Sequence, residues 1–490
     1  MSNPVTVRFA PSPTGSLHIG GARTALYNYL FAKKNNGTFL VRIEDTDQSR
    51  STALSMKTIL ADLTWLGLSW QEGIDANTLA DIGTTGPYKQ SERQDIYKTY
   101  ADKLLAEGKA YYCFLTDEEM DVQRAQAKAE KRPYKVNSPY RDLPLDEAKR
   151  KLDNGDAATV RYKTPLNQQD FEFNDLVRGH ISLPSTMVGD FVILRSDGMP
   201  VYNFCCAVDD ALMKITHVFR GEEHLPNTLR QLMIYQGLGF VPPQFGHLSI
   251  ILGESRKKLS KRDQDVSCED FRQKGYLPEA LNNAIALLGW SDPKGRDILT
   301  LDEMSEVFEV KNLNAAAPVF DLKKLNWINA QYIRKLSPKV LWSKLLPYFQ
   351  AAKLTFPDDL SWQNNALALF TPELETLDNA VALFTPLAEN QFTLADDAKE
   401  VLGFDKSFAV ISTWLEYLDQ TDKEVLTEQD FNDALDAIKV QCEVKGKFLF
   451  MPIRVAIIGK PHGPELKQLI PLLSCTVLKN RAKVTLKACS

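Results

Sequence analysis

A glycine-rich segment near the start of the chain carries residues that could bind a phosphate. Residues 11–21 read PSPTGSLHIGG and follow residues 5–10, an apolar stretch that predicts a short buried strand. Apolar residues at helical spacing come next, so a helix should begin near His18. Backbone N–H groups at such a junction attract phosphate, Gly20 and Gly21 allow close approach, and a charged His18 could donate from both ring nitrogens. A glycine-rich turn with a capping histidine would explain the same residues equally simply.

A second cluster is basic. Residues 256–262 read RKKLSKR and follow an apolar stretch that predicts a strand. Lys258 and Lys261 could act as point charges on the phosphates of ATP, and Ser260 could add a hydrogen bond, if this loop closes over a nucleotide. A solvated basic loop is the simpler interpretation of this run taken alone.

The order of the predicted elements brings the two clusters together. Residues 5–10 and 39–43 predict strands, and helices should follow each of them, the second over about 51–66. This alternation predicts a doubly wound parallel sheet, whose ligands bind beyond the carboxyl ends of the strands. Parallel strands should return at about 191–194, 218–220 and 248–252. Because one cluster follows the first strand and the other follows the last, we predict an enzyme that binds ATP against the helix beginning at His18.

The paired clusters resemble the signatures of class I aminoacyl-tRNA synthetases. Residues 18–21 are similar to His-Ile-Gly-His, with Gly21 at the fourth place, and residues 258–262 are similar to Lys-Met-Ser-Lys-Ser, with Leu259 and Arg262 as departures. The branch that the chain resembles, almost end to end, is bacterial-type glutamyl-tRNA synthetase. The segments that carry this resemblance are residues 8–15, 41–47, 86–93, 197–202, 208–210, 220–223, 318–322 and 450–454.

The resemblance implies a two-step reaction and a set of nucleotide-binding residues. L-Glutamate would be activated by ATP, with Mg²⁺, and the glutamyl group would pass from the adenylate to the 3′ end of tRNA(Glu). Catalysis would consist of positioning and of stabilising charge on the transferring phosphate. The implied catalytic residues are His18, Lys258 and Lys261, and the implied ATP-binding residues are Gly20, Gly21, Glu223, Ser260 and Lys261.

The resemblance also implies a glutamate pocket. Arg8 would hold the side-chain carboxylate, Tyr202 would donate a hydrogen bond, Glu44 would bind the ammonium group and Arg220 the other carboxylate, with Ser12 as a polar contact. Ordinary alternatives exist for each: a strand arginine paired to a surface acid, a solvated glutamate, or a core tyrosine with its hydroxyl at the surface.

The implied organisation is an α/β multidomain chain, in which a Rossmann-like catalytic sheet holds an α+β insertion and an all-α C-terminal region follows. Many bacterial relatives bind zinc in the insertion through Cys-x-Cys and Cys-x-His pairs. Here the first pair is reduced to Cys113, so we predict no zinc and a packed strand cysteine. The expected segments are 1–85 and 191–255 (catalytic halves), 86–190 (acceptor-end-binding insertion), 256–325 (stem contact) and 326–490 (helical anticodon-binding region).

Composition limits the remaining possibilities. The net charge of −5 argues against an overall basic coating, and no apolar run is long enough to cross a membrane. Seven cysteines without a CxxC pair, and a start unlike a secretory signal, favour a cytoplasmic protein, which we expect to be a monomer. Three alternatives stay open: a form that also charges tRNA(Gln), a tRNA-independent adenylate-forming ligase, and a non-catalytic RNA-binding paralogue.

Overall fold

The structure, a computed structural model, describes residues 4–47, 52–259 and 266–489. The chain divides into two compact units. The first unit runs to Arg272 and includes Pro278–Ile328, and the second consists of Gln273–Leu277 and of the chain from Asn329 onward.

The strands all lie in the first unit within the described ranges. They are β1 Thr6–Phe9, β2 Thr38–Val41, β3 Gly73–Ile74, β4 Asp81–Ile82, β5 Ala110–Cys113, β6 Thr159–Tyr162, β7 Asp170–Asp175, β8 Gly179–Pro184, β9 Phe191–Leu194, β10 His217–Gly221 and β11 Gln244–Leu248.

The helices continue through both units. They are α1 Ile19–Lys34, α2 Ala53–Trp65, α3 Gln94–Ala106, α4 Asp117–Ala129, α5 Leu145–Asp153, α6 Tyr202–Leu212, α7 Leu225–Leu238, α8 Cys268–Gln273, α9 Pro278–Ala286, α10 Leu301–Val307, α11 Leu322–Lys335, α12 Pro338–Ala351, α13 Leu360–Phe370, α14 Asn379–Phe384, α15 Ala398–Leu402, α16 Ser407–Gln420, α17 Glu428–Gln441, α18 Lys447–Ile458, α19 Leu466–Leu469 and α20 Cys475–Ala488.

A parallel sheet forms the centre of the first unit. Its strand order is β11-β10-β1-β2, and all three pairings are parallel. Val7, Leu40 and Val218 are fully buried, as expected for strands covered on both faces. The predicted doubly wound sheet is therefore confirmed, and its strands end at one common edge.

Helix ends follow local sequence signals. His18 caps α1, and a capping box of Thr116 and Glu119 begins α4, where the side chain of each residue accepts from the backbone N–H of the other. Gly239 ends α7 at φ 72°, a left-handed conformation that glycine adopts without a Cβ penalty.

Two expected strands differ from the structure. The prediction that 191–194 returns to the parallel sheet is wrong, because β9 pairs antiparallel with β6 in a separate sheet of order β5-β6-β9. An apolar run of four residues indicates burial but not the partner strand. The parallel strand expected at 248–252 lies earlier in the sequence, as β11. The chain leaves the sheet after Leu248, and Ile250 N–H then donates to the Glu222 carboxylate at 2.8 Å. The hairpin β7–β8 lies beside β11.

The second unit is helical, which confirms the all-α prediction for the C-terminal region. Helices α12 to α20 all lie in this unit. Trp414 and Ile453 are fully buried in its core. No helix in the described ranges is both long and apolar enough to cross a membrane.

Candidate active site

Two adjoining cavities open at the carboxyl ends of the parallel strands. The first has a volume of about 380 Å³ and the second of about 310 Å³. Both are lined by Gly20, Gly21 and Thr24 of α1, by Gly221 at the end of β10 and by Glu223 just after it. A ligand in one cavity therefore contacts the same wall as a ligand in the other.

The first cavity gathers the residues expected to bind glutamate. Arg8 comes from β1, Ser12 from the following loop, Glu44 from beyond β2, Tyr202 from the start of α6 and Arg220 from β10, and all five line this cavity. It offers the two guanidinium groups of Arg8 and Arg220, which suit the two carboxylates of glutamate, and the carboxylate of Glu44, which suits the ammonium group, while Glu223 lies on the wall shared with the second cavity.

The second cavity gathers most of the residues expected to bind a nucleotide. His18, Gly20, Gly21, Glu223 and Lys258 line it. Of the expected residues, Ser260 and Lys261 lie outside the described part of the chain. A methyl group on Gly21 would approach Leu17 Cδ1 to 2.9 Å, so a larger residue at this place would have to displace that side chain.

The two ring nitrogens of His18 have different roles at the start of α1. Its Nδ1 accepts a hydrogen bond from Gly20 N–H at 3.0 Å. Nδ1 must keep its lone pair for this bond, so only Nε2 can donate. The expectation that His18 donates from both nitrogens is therefore corrected: the capping histidine and the cavity histidine are the same residue, with one nitrogen for each role.

Arg8 is held by a buried acid rather than by a surface acid. Its Nε lies 3.2 Å from Asp210 Oδ1, and Asp210 also accepts from Arg42 Nη1 at 2.7 Å. Burial is the largest single effect and lowers the pKa of Arg8, but the charge and the hydrogen bond of Asp210, together with Cys206, raise this pKa overall. Burial would raise the pKa of Asp210, but the two arginines lower it, so the group stays ionised.

Arg42 connects this network to the acid of the cavity. Its Nη2 lies 3.1 Å from Glu44 Oε1. Burial raises the pKa of Glu44, and the nearby Arg42 and Arg8 offset only part of that rise. Glu44 therefore lies at the end of a continuous ionic chain that runs from Arg8 through Asp210 and Arg42.

A second buried acid, Asp209, accepts hydrogen bonds from three side chains of the segment after residue 85. Asp209 accepts hydrogen bonds from Arg93 Nε at 2.7 Å, from Tyr97 Oη at 2.8 Å and from Gln90 Nε2 at 2.8 Å. These contacts join residues 86–93 to residues 208–210. The sequence alone did not indicate that these two segments are in contact.

Arg42, Asp209 and Asp210 are residues that sequence reasoning missed. The signal was present, since Asp209 and Asp210 directly follow the apolar run CCAV and Arg42 stands within the apolar run of residues 39–43. Charged residues in apolar surroundings are rarely buried unless paired. That pattern indicates a buried ion network but does not show which charges pair.

Comparison with known proteins defines the class. Residues 4–327 match the family of tRNA synthetases class I (E and Q), catalytic domain, and residues 340–484 match an anticodon binding domain family. The chain is thus a class I aminoacyl-tRNA synthetase with an anticodon binding domain.

Relatives that match nearly the whole length of the chain identify its family within this class. The glutamate–tRNA ligase of Bdellovibrio bacteriovorus is 52% identical, with 98% of each chain covered, and that of Bacillus subtilis is 41% identical over 99% of this chain and 100% of the relative. A glutamate tRNA ligase from Elizabethkingia meningosepticum, solved in complex with its amino acid, superposes with a TM-score of 0.87 at 30% identity and 99% coverage of both chains. The chain belongs to the glutamate–tRNA ligase family.

Proposed function

We propose that this chain activates L-glutamate with ATP and transfers the glutamyl group to the 3′ end of tRNA(Glu). The observation that carries the proposal is the pair of cavities with a shared wall, one with the charges of a glutamate pocket and the other with His18 and Lys258. Glutamate and the α-phosphate of ATP would meet at Gly20, Gly21, Gly221 and Glu223. The proposed form of the enzyme is a monomer.

In the proposed first step, an oxygen of the glutamate α-carboxylate attacks the α-phosphorus of ATP and the bond to pyrophosphate breaks. Arg220 holds that carboxylate, Glu44 binds the ammonium group, Arg8 and Tyr202 hold the side-chain carboxylate, and Ser12 is a polar contact. His18 Nε2, Lys258 and Lys261 stabilise the charge that develops on the phosphate, and Ser260 adds a hydrogen bond.

In the proposed second step, a ribose hydroxyl at the tRNA 3′ end attacks the carbonyl carbon of the adenylate, and AMP leaves. Residues 86–190 would bind the acceptor end, 256–325 the stem and 326–490 the anticodon. The helical second unit supports the last assignment, since it matches an anticodon binding domain family over 340–484.

Mg²⁺ fits this site in the way it usually binds nucleotides, through one or two carboxylates and the substrate phosphates. Glu223 is a carboxylate of the shared wall that could hold the ion with ATP. The described residues contain no cluster of three acids, histidines or cysteines that would hold a metal alone. The ion would neutralise phosphate charge.

The test is charging with radiolabelled glutamate on purified tRNA(Glu) and tRNA(Gln), each assayed separately. We expect charging of tRNA(Glu). Charging of both tRNAs would establish the form that also charges tRNA(Gln). Charging of neither tRNA would overturn the proposal. ATP–pyrophosphate exchange with glutamate alone, without charging when tRNA is added, would favour the tRNA-independent ligase. Unchanged aminoacylation by Lys261→Ala would refute the role of that lysine.

A further inference from the structure

Two of the three guanidinium nitrogens of Arg220 have hydrogen-bond partners, and the third has none among the described residues. Its Nε lies 3.3 Å from His247 Nε2, and its Nη2 donates to Thr228 Oγ1 at 2.7 Å. The third nitrogen, Nη1, is buried and has no hydrogen-bond partner among the described residues. A buried donor without a partner is unfavourable, so Nη1 is the donor of Arg220 that is left for a ligand oxygen. Arg220 lines the same cavity as Arg8 and Glu44.

His247 can serve Arg220 only in one ring tautomer. Nε2 must be an acceptor to receive the Arg220 Nε–H, so the ring proton must lie on Nδ1. Nδ1 is 2.6 Å from Asp175 Oδ2, and both side chains are fully buried. Burial lowers the pKa of His247, so the ring is neutral near neutral pH. The Asp175 carboxylate, as an acceptor, fixes the proton on Nδ1.

Asp175 belongs to the hairpin β7–β8 and not to the parallel sheet. The hairpin turn is joined to the end of the sheet by further contacts: Arg178 forms an ion pair with Glu222, and its Nε donates to the carbonyl of His247 at 3.2 Å. The hairpin therefore contacts both the side chain and the backbone of the residue that supports Arg220.

We propose that Asp175 is a positioning residue for glutamate activation: through His247 it holds Arg220 with Nη1 directed to the α-carboxylate. The inference rests on the proposed function of Arg220. Thr228 completes the support, since its hydroxyl contacts both Arg220 Nη2 and His247 Nε2, at 2.7 and 2.9 Å. With both occupied nitrogens fixed, the guanidinium plane cannot turn away from the cavity.

A purely structural role for Asp175 makes a different prediction. Its Oδ1 accepts from Val177 N–H and Arg178 N–H, both at 2.9 Å, so the residue also fixes the hairpin turn. Loss of this turn alone would weaken the fold without selecting one group of the substrate. Variants of His247 and Thr228 leave the turn intact and separate the two roles.

The experiment compares His247→Ala, His247→Gln, Thr228→Val and Asp175→Asn in ATP–pyrophosphate exchange with tRNA(Glu) present. We expect His247→Ala and Thr228→Val to raise the KM for glutamate about tenfold or more, corresponding to about 1.4 kcal/mol, with the KM for ATP changed less than about twofold. His247→Gln should restore much of the loss, because its amide oxygen can accept in place of Nε2. Asp175→Asn should resemble His247→Ala, since an amide NH₂ facing Nδ1 favours the other tautomer.

An inhibitor identifies which group of the substrate is affected. L-Glutamol has a hydroxymethyl group in place of the α-carboxylate and keeps the other two charged groups. Its inhibition constant should stay within about twofold in His247→Ala, while the glutamate KM rises tenfold. Tyr162→Phe is the matched control, because it loses a buried hydrogen bond of 2.7 Å to the Met233 carbonyl in the same unit without touching Arg220.

The variant Arg220→Ala distinguishes a failure of the proposed role of Arg220 from a failure of the positioning role of Asp175. If it leaves the glutamate KM unchanged, the proposed role of Arg220 fails, and the inference fails with it. If it raises that KM but His247→Ala and Thr228→Val do not, only the positioning role is overturned. Equal rises in the KM values for glutamate and ATP, or an equal loss of glutamol binding, would also overturn it in favour of general destabilisation.

Discussion

Arg42 and Asp210 form a buried ion pair behind Glu44 and Arg8 of the first cavity, with Arg42 Nη1 2.7 Å from Asp210 Oδ1. Arg42 also contacts Glu44, and Asp210 also contacts Arg8. The two ends of the cavity are therefore not independent, because a change in the central pair leaves charges on both sides without a partner.

Replacing Asp210 should show this dependence. Removing one partner of a buried ion pair destabilises a protein by about 3–5 kcal/mol, so we expect Asp210→Asn to lower stability by that order and to raise the KM for glutamate. Urea-induced unfolding and exchange kinetics measure the two effects. Asp121→Asn is the control, since the exposed pair Asp121–Arg124 should contribute about 0–1 kcal/mol. Similar small losses in both variants would contradict the prediction.

His18→Asn should separate the capping role from the role in the cavity. Asparagine is among the best capping residues, so α1 should keep its cap, whereas His18→Ala should lose about 1 kcal/mol of stability. Both variants lose Nε2, and removing one donor to a developing charge costs roughly 100-fold in rate or more. Thermal unfolding and the kcat of pyrophosphate exchange test the two effects. Near-normal activity of His18→Asn would argue against a role of Nε2.

His224 should make the protein less stable in mild acid. Burial, and secondarily Arg220, lowers its pKa from 6.5 to about 4 in the folded state. Between these values the unfolded chain takes up the proton and the folded chain does not, so stability falls as the pH falls from 6.5 to 4 and is unaffected by this group above 6.5.

The matched variant is His224→Asn, whose amide can keep a contact with Tyr202 Oη, now 3.2 Å from His224 Nδ1. Urea midpoints at pH 7 and pH 4.5 should differ less in this variant than in the parent protein. The pKa of His247 is lowered as well, so part of the dependence remains. Parallel dependences in the two proteins would show that His224 does not contribute.

Arg481 should be essential to the second unit. It is buried and donates to the carbonyls of Pro386, Ile457 and Ala388, each at 2.7 Å, and burial lowers its pKa to about 10. Arg481→Met leaves three carbonyls without this donor, and each orphaned group costs about 1–3 kcal/mol. Calorimetry should show a loss several times larger than that of Lys399→Met, which removes an exposed pair in the same unit. Equal losses would refute the prediction.

Purified protein should contain no stoichiometric zinc. Cys113 is buried on β5, with its Sγ 3.4 Å from Ser138 Oγ, and a structural zinc site needs four ligands. Elemental analysis should give well under one zinc per chain. Charging should also recover fully when EDTA-treated protein receives Mg²⁺ alone. A recovery that required added zinc would contradict this prediction.

Much of the fold follows from local signals in the sequence. The strand of Arg8, the helix after His18 and the parallel sheet they belong to were all predicted from residue types and spacing. The strand Phe191–Leu194 was assigned to the wrong sheet, because an apolar run of four residues is compatible with either pairing.

By itself, the sequence determined the class of chemistry, because residues 18–21 and 258–262 together resemble the paired signatures of one class of enzymes. Only the tertiary structure decided how these groups are supported. Asp210 lies far along the chain from Arg8, and Asp175 from His247, yet each pair is in contact. Such contacts depend on how the strands pair and how the hairpin packs beside them. Spacing along the chain does not encode these distances, because they arise only when remote segments share one buried, low-dielectric space.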